Sequence, residues 1–205
     1  MEAALTFGEY AIFTIMGLAS ILALAVGIEK ALLYSKINRS EGEIFAKIKT
    51  ELSLGQIDSL GEYVKSNPES AYARFALFIK ENYGAGEAAL THLMESKMIE
   101  ERIFLEQRLI VLGSLGNNAP FIGLLGTVLG IIKAFFNLGT LGNAGAEAVM
   151  KSISTALVAT ASGLLIAIPV VIANNYFNKK LKVIMQNLEQ LSKAALAGCC
   201  TKIGG

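Results

Sequence analysis

The stretch from Ser152 to Asn178 reads SISTALVATASGLLIAIPVVIANNYFN and contains no charged residue over 27 positions. Two earlier stretches are also free of charge: residues 10–28, with 19 positions, and residues 109–132, with 24. About 20 consecutive apolar residues in a helix cross the roughly 30 Å hydrocarbon core of a bilayer. The three stretches therefore predict three transmembrane helices.

The composition of the whole chain agrees with that prediction. Of its 205 residues, 53% are hydrophobic and 17% are charged, whereas an average soluble domain is about 25% charged. These values argue against an ordinary soluble enzyme and against a disordered chain. The net charge of +1 argues against a nucleic-acid-binding protein, which would carry a basic stripe. We expect an all-α polytopic membrane protein whose three helices extend into a cytoplasmic helical region.

The lysine and arginine residues near the predicted spans indicate their orientation, because these residues accumulate on the cytoplasmic side. Nine lie on one side and two on the other. The nine are Lys30, Lys36, Arg39, Lys97, Arg102, Arg108, Lys179, Lys180 and Lys182, and the two are Lys133 and Lys151. The predicted order is a periplasmic N-terminus (1–9), a first transmembrane helix (10–28), a cytoplasmic helical region (29–115), a second transmembrane helix (116–138), a periplasmic turn (139–150), a third transmembrane helix (151–177) and a cytoplasmic tail (178–205). The acidic segment 1–9 lacks the basic residues of a signal peptide, so the first helix is expected to be retained.

The cytoplasmic region reads as helical, with breaks at Gly55, Gly61, Asn67–Pro68 and 83–86. Its last part has apolar residues at helical spacing, namely Leu90, Met94, Met98, Leu105, Leu109 and Leu112. This pattern predicts one long helix that runs towards the second span. The segment 117–120, Asn-Asn-Ala-Pro, is a helix-start signal that should interrupt it.

Small residues in the second and third spans predict close helix packing. Gly126 and Gly130 form a GxxxG motif, which lets helix backbones approach each other. Pro169 removes a backbone hydrogen bond and should loosen its helix. The full set of packing candidates is Gly123, Gly126, Gly130, Gly163, Pro120 and Pro169.

Residues that carry enzyme chemistry are scarce. His92 is the only histidine, and its apolar neighbours favour a packing position between helices. Cys199 and Cys200 are adjacent near the C-terminus and are expected to be thiols in a loose tail, since two cysteines without histidine make no zinc site. No convergent catalytic set is present. We therefore expect no enzyme, no metal site and no cofactor.

In the segments 118–135, 153–164 and 167–171, the sequence resembles the ExbB/TolQ family of the MotA/TolQ/ExbB proton-channel superfamily, and ExbB most of all. Residues 118–135, NAPFIGLLGTVLGIIKAF, resemble the family's second membrane helix. Residues 153–164, ISTALVATASGL, and 167–171, AIPVV, resemble its third. The order of elements also fits, with one helix, a large cytoplasmic loop and two helices joined by a short turn.

The resemblance implies a subunit of an ion-driven motor in the bacterial inner membrane. Such proteins form homopentamers around single-span ExbD- or TolR-like partners, whose membrane helix carries an essential aspartate. The coupling ion is expected to be the proton, with sodium as an alternative, and the output is energised transport across the outer membrane, with a TonB-like protein as a further partner. Membrane lipid is an expected partner and nucleic acid is not. A TolQ-like or motility-type motor subunit, and a passive membrane scaffold or transporter, stay open as alternatives.

The resemblance also implies site residues. Thr127 and Thr160 match the family's pore-lining threonines, and Thr155 stands where many family members have glutamate. The alternative is that these hydroxyls bond the carbonyl one turn earlier in their own helix. Thr155 and Thr160 lie about 140° apart around a straight helix, so Thr160 is the stronger candidate for the lumen. No acidic residue falls within a predicted span, and Lys133 is expected to extend to the outer membrane interface, where a basic rim is the functional alternative.

Overall fold

A computed structural model describes residues 2–38, 41–61, 66–68, 70–141 and 145–203. Its α-helices, in chain order, are α1 (Glu2–Asn38), α2 (Glu41–Ser53), α3 (Ala71–Asn82), α4 (Glu87–Glu106), α5 (Leu109–Leu141) and α6 (Ala146–Ile203). A 3₁₀ turn, Tyr83–Ala85, joins α3 to α4. The described residues contain no β-strand, so the predicted all-α class is confirmed.

Three helices have the length and apolar composition needed to cross a membrane. They contain the segments Ala3–Ser35, Leu109–Thr140 and Ala146–Cys199, in which an apolar stretch of 18 residues has a mean hydropathy of 2.4, 1.9 and 2.4, respectively. The prediction of three membrane helices from the charge-free stretches is thus confirmed. α1 already includes residues 2–9, which the sequence analysis had set apart as an outer segment.

The chain folds into two compact units. The apolar unit comprises the described residues of 2–29 and 108–176, and the charged unit those of 30–107 and 177–203. In the apolar unit large side chains such as Leu18, Leu24 and Leu165 are 63–76% exposed. Lipid tails are as apolar as leucine, so such exposure suits a bilayer.

The core of the apolar unit consists mainly of small residues. On α5 the buried positions recur every three or four residues, beginning with Leu109 and Leu112 and continuing with Gly116, Ala119, Gly123, Gly126, Gly130, Ala134 and Asn137. On α6 the matching row is Ser152, Ala156, Ala159, Gly163, Ala167 and Val170. Because these side chains are short, the two helix backbones can come close together.

The charged unit has a core of large apolar side chains, as in a soluble helical domain. Fully buried members come from α2, α3, α4 and the C-terminal part of α6, and include Leu52, Phe75, Met94, Leu105 and Leu188. Leu90, Met94 and Leu105, which belong to the apolar pattern noted in the sequence, lie on the buried side of α4. The breaks expected at Gly55 and 83–86 are also present, whereas residues 62–65 and 69, next to the other two expected breaks, lie outside the described residues.

One expected long helix is in fact two. α4 ends at Glu106 and α5 begins at Leu109, because Gln107 is extended and Arg108 adopts a left-handed conformation with φ of 65°. The carbonyl of Leu105, in the last turn of α4, accepts a hydrogen bond of 3.1 Å from the fully buried ammonium of Lys30. A cation at a helix C-terminus complements the helix dipole, so the end of α4 is stabilised.

The helix start expected at 117–120 is wrong. α5 continues from Leu109 through Pro120 to Leu141. The Asn118 side-chain amide donates a 2.8 Å hydrogen bond to the Ser114 carbonyl inside the same helix. α6 likewise continues through Pro169.

Two expectations about chemically distinctive residues are also wrong. The segment around Cys199 is no loose tail, because α6 extends to Ile203 and Cys199 is buried. Gly198 lies so close to α2 that a methyl group added to it would come within 2.1 Å of the Leu52 carbonyl oxygen. His92 is no packing residue, since its side chain is 83% exposed and lies 3.5 Å from the Glu95 carboxylate.

Candidate functional site

The backbones of α5 and α6 approach each other most closely around Gly123 and Gly163. A methyl group added to Gly123 would lie 2.9 Å from the Ala159 carbonyl oxygen and 3.3 Å from the Gly163 Cα. A methyl group added to Gly163 would lie 2.7 Å from the Ala119 carbonyl oxygen. Only glycine fits at both positions without displacing one of the helices.

Thr160 links the two helices at this same level. Its hydroxyl donates a hydrogen bond of 3.1 Å to the Gly123 carbonyl on α5, and its side chain is partly buried. The Gly123 carbonyl is reachable because neither helix has a side chain between the two backbones there. The hydroxyl therefore takes part in helix packing.

The other two candidate threonines bond within their own helices. Thr127 donates to the Leu124 carbonyl at 2.7 Å, and Thr155 donates to the Lys151 carbonyl at 3.0 Å. Both are partly exposed in the single chain. A pore-lining role for Thr127, Thr155 and Thr160 stays a prediction, since the lumen of a ring is formed by several chains.

The remaining packing candidates divide into two groups. Gly126 and Gly130 face Ala159 and Ala156, and a methyl group added to either would come within 2.5 Å of the alanine Cβ. Pro120 is partly buried and Pro169 is exposed in the single chain. Sequence analysis did not include Gly116 among the packing candidates. The spacing of three and four residues nevertheless leads back from Gly123 to Gly116. An added methyl group there would lie 2.8 Å from Val171.

An ion pair joins α1 to α5 within the apolar unit. The Lys133 ammonium lies 2.6 Å from one carboxylate oxygen of Glu9, and the two side chains are 17% and 13% exposed. Glu9 lies in the long apolar helical segment Ala3–Ser35, one residue before the predicted first span (10–28). Lys133 points to this carboxylate, and sequence analysis had linked it only to the membrane interface.

The second carboxylate oxygen of Glu9, Oε1, is buried and has no hydrogen-bond partner among the described residues. Glu9 lines a narrow gap among α1, α5 and α6. The other lining residues are Ile12, Phe13, Gly126, Thr155, Ala156 and Ala159. The gap is narrow and mostly apolar, and its two polar lining residues, Glu9 and Thr155, come from α1 and α6.

A second ion pair lies at the other end of the apolar unit. The Arg108 guanidinium donates to the Glu29 carboxylate, and both side chains are about half exposed. Exposed pairs of this kind contribute little to stability. Within the described part of the chain no three His, Cys, Asp or Glu side chains come together as a metal site would require.

Comparison with known proteins agrees with this architecture. Residues 65–190, more than half of the chain, match the MotA/TolQ/ExbB proton channel family. A "Biopolymer transport protein ExbB" from Neisseria meningitidis serogroup A is 31% identical over 194 residues, covering 88% of this chain and 87% of that protein. The protein of the same name from Neisseria gonorrhoeae is 37% identical over 138 residues, and the alignment covers 61% of this chain and 62% of the Neisseria gonorrhoeae protein. The protein of the same name from Helicobacter pylori strain J99 is 44% identical over 82 residues, and the alignment covers 40% of this chain and 57% of the Helicobacter pylori protein.

The family match includes the segments that form α5 and the apolar half of α6, where the packed glycines and the candidate threonines lie. The matches also confirm the resemblance to the family that was drawn from residues 118–135, 153–164 and 167–171. The chain is a multi-pass membrane protein that belongs to the MotA/TolQ/ExbB proton channel family.

Proposed function

We propose that this chain is the ring-forming subunit of an ion-driven motor in the bacterial inner membrane. It couples the proton motive force to energised transport across the outer membrane, together with an ExbD-like single-span partner. The observation that carries this proposal is the match to a protein named for biopolymer transport and ExbB, which covers 88% of this chain and 87% of that protein. The chain acts as a structural and ion-conducting component, not as an enzyme.

The apolar unit supplies groups suited to such a role. The partner's membrane aspartate is costly to ionise inside a bilayer, so its charged form needs polar groups close by. Thr127 and Thr160 supply hydroxyls on α5 and α6. Each hydroxyl donates one hydrogen bond to a carbonyl and keeps lone pairs that can accept a bond from a protonated carboxyl or from water. The proton is the proposed coupling ion, and sodium is the alternative.

The proposed orientation places the N-terminus in the periplasm and the C-terminus in the cytoplasm. Nine lysine and arginine residues flank the spans on the proposed inner side, and two on the outer side. The charged unit, with its soluble-type core, then lies in the cytoplasm. A TolQ-like or motility-type output would use the same subunit with a different partner.

Assembly is the first property to test. We expect the detergent-purified chain to show the native mass of a homopentamer. When it is co-expressed with the product of a neighbouring gene, provided that this product has a single membrane span, the ring should capture fewer partner chains than ring chains. A monomer or dimer that ignores the partner would contradict the motor and favour a passive scaffold or transporter.

A test of coupling separates the motor from that alternative. Replacing the partner's membrane aspartate with asparagine should abolish energised transport while leaving the ring and the captured partner intact. If transport continues at the unmodified rate, the chain does not work through that aspartate.

A further inference from the structure

An open groove runs along the charged unit, between α4 and the C-terminal part of α6. Its volume is about 530 Å³. Met98, Ile99 and Met185 contribute its apolar lining, and Ile99 is 60% exposed. An apolar groove with a charged rim, on a unit whose core is otherwise like that of a soluble domain, is typical of a surface that another helix covers.

The charged residues of the groove are sorted by sign along its length. α4 and α6 run in opposite directions here, because Tyr34 donates a hydrogen bond to the Leu105 carbonyl near the end of α4 and stacks on Phe177, where this part of α6 begins. The end of the groove nearer to Leu105 and Phe177 is therefore basic and the other end is acidic. The basic residues are Arg102 and Lys182, and the acidic residues are Glu95 and Glu189.

The exposed side of α2 is narrow and has two charges of opposite sign. Its residues are Gly42, Glu43, Ala46, Lys47 and Thr50. The Thr50 hydroxyl donates to the Ala46 carbonyl of its own helix at 3.0 Å, so the surface beside the charges consists of small groups whose hydrogen bonds are made. Within the described part of the chain no ion pair involves Glu43 or Lys47, and none involves Lys182 of the groove.

α2 runs in the same direction as α6 and lies beside the part of α6 that lines the groove. Lys49 donates to the Gln190 side chain at 2.9 Å, and further along both helices Leu52 lies against Gly198. In this common direction the order of charges is acidic then basic on α2, and basic then acidic in the groove. The two surfaces are therefore complementary in charge.

The contact between these surfaces has to be made by two chains, because every residue that lines the groove belongs to α4 or α6. Subunits of a ring in one membrane are related by rotation about the membrane normal, so each surface meets its neighbour at its own level. Joining two different surfaces head to tail is also the arrangement from which rings are built.

We propose that the exposed side of α2 docks in the α4–α6 groove of the neighbouring copy of this chain, with Glu43 towards Lys182 and Lys47 towards Glu189. Facing charges of opposite sign fix the register of an interface and disfavour other pairings. Methionine side chains are flexible enough to adapt to the small residues of α2. The inference rests on the proposed function in that it takes the chain to form a ring.

Disulfide cross-linking between two differently tagged full-length chains tests this contact. One chain carries Ala46→Cys and the other Gln186→Cys, both at exposed positions, and isolated membranes that contain both chains are oxidised. Trypsin yields the peptides 40–47 and 183–193, which contain the new thiols and neither native cysteine. Because the two thiols belong to different chains, a linked pair of these peptides identifies a contact between copies.

We expect Ala46→Cys to link to Gln186→Cys and not to Glu100→Cys. Glu100 is 70% exposed but is not part of the groove, although its neighbour Ile99 is. It is therefore the control for random collision between chains. Native mass is measured for each combination, so that cross-linking is compared only among chains that assemble alike.

An exchange of charges tests the register. Glu43→Lys, placed in both tagged chains, should lower the yield of the 46–186 link about fivefold, which corresponds to the upper value for an exposed ion pair. Adding Lys182→Glu to both chains should restore the yield, because the same two charges then face each other with their positions interchanged.

Three results would overturn the proposal. Absence of the 46–186 link in a chain whose native mass is that of a ring would show that other surfaces join the copies. Equal linking to Glu100→Cys would show that the groove is not a specific contact, and an exchanged pair that links no better than Glu43→Lys alone would show that these charges do not set it. A monomeric chain would contradict the ring and the interface together. If instead the 46–186 link forms as expected but transport does not depend on the partner's aspartate, the motor is contradicted and the interface stands.

Discussion

The Thr160 hydroxyl has one observed role and one proposed role. Its hydroxyl bonds to the Gly123 carbonyl across the α5–α6 contact, and in the proposed function the same oxygen accepts a hydrogen bond from the partner's carboxyl or from water. A hydroxyl can do both at once, because it donates one bond and has two acceptor lone pairs. The glycines around it are what bring the two helices near enough for the first of these bonds.

Thr160→Val should abolish coupling and leave assembly intact. Valine has the shape of threonine but lacks the hydroxyl, and one such interhelical bond in a membrane protein contributes about 0.6–1.7 kcal/mol. That loss is too small to dissociate the helices. Thr160→Ser keeps the hydroxyl and should keep most of the coupling. The measurement is transport rate per assembled complex, and normal coupling by a stable valine variant would remove Thr160 from the mechanism.

Gly123→Ala should lower stability, whereas Gly17→Ala should not. The added methyl group at Gly123 meets the Ala159 carbonyl oxygen at 2.9 Å, but nothing lies within 4 Å of one added to Gly17. Forcing a methyl group into a packed contact costs about 1–3 kcal/mol. Thermal unfolding in detergent measures the difference, and equal midpoints for both variants would contradict the close approach of α5 and α6.

The sequence predicted the packed glycines but not the buried ion pair, and the reason is physical. Gly126 and Gly130 lie one turn apart on one helix, so their shared face follows from local geometry. Glu9 and Lys133 are 124 positions apart, and no local spacing rule relates them. Each looked like a charge at the end of a span, and only the packing of α1 on α5 brings them together.

At the scale of elements, the break between α4 and α5 escaped sequence analysis for a similar reason. Helix ends are usually marked by glycine, asparagine or a following proline, and none of these occurs at 106–109. The left-handed residue is Arg108, which carries no such signal.

The helix-start signal at Pro120 was misleading, because a proline can lie within a membrane helix when neighbouring groups satisfy the freed carbonyl. The three charge-free stretches, in contrast, each lie in one long helix. The thickness of the bilayer sets the minimum length of such an apolar stretch, so the stretches are easy to recognise in the sequence.

Arg108→Gly should be more stable than Arg108→Ala. Both variants lose the ion pair with Glu29, which lies near the surface and contributes about 0–1 kcal/mol. They differ in the backbone, since a left-handed conformation costs a non-glycine residue about 1–2 kcal/mol and costs glycine little. We expect the thermal midpoint of the glycine variant to lie a few degrees above that of the alanine variant. A higher midpoint for alanine would mean that α4 and α5 join into one helix.

At the scale of the whole molecule, the interior of each of the two units is stabilised by a different kind of interaction. The apolar unit relies on small residues and close backbones, because burial of apolar side chains from lipid gives little driving force. The charged unit relies on burial of large side chains from water, together with a buried ion pair. In that pair Arg74 contacts Glu101 at 2.5 Å, the Glu101 side chain is 4% exposed, and Lys97 lies 3.6 Å from it.

Glu101→Ala should therefore destabilise the charged unit selectively. Removing the Glu101 carboxylate breaks this largely buried pair and should cost about 1–3 kcal/mol. Its neighbour Glu100 is 70% exposed and pairs with Lys97 at 2.9 Å, so Glu100→Ala should cost no more than about 1 kcal/mol. Hydrogen exchange of the full chain distinguishes the two units. In the Glu101→Ala variant the amides of α3 and α4, which belong wholly to the charged unit, should exchange faster. Those near Gly123 on α5 should keep the protection they have in the unmodified chain, because their stability comes from the glycine and alanine contacts with α6. Equal loss of protection at both places would show that the chain opens as one cooperative body, and that its two kinds of core do not confer separate stabilities.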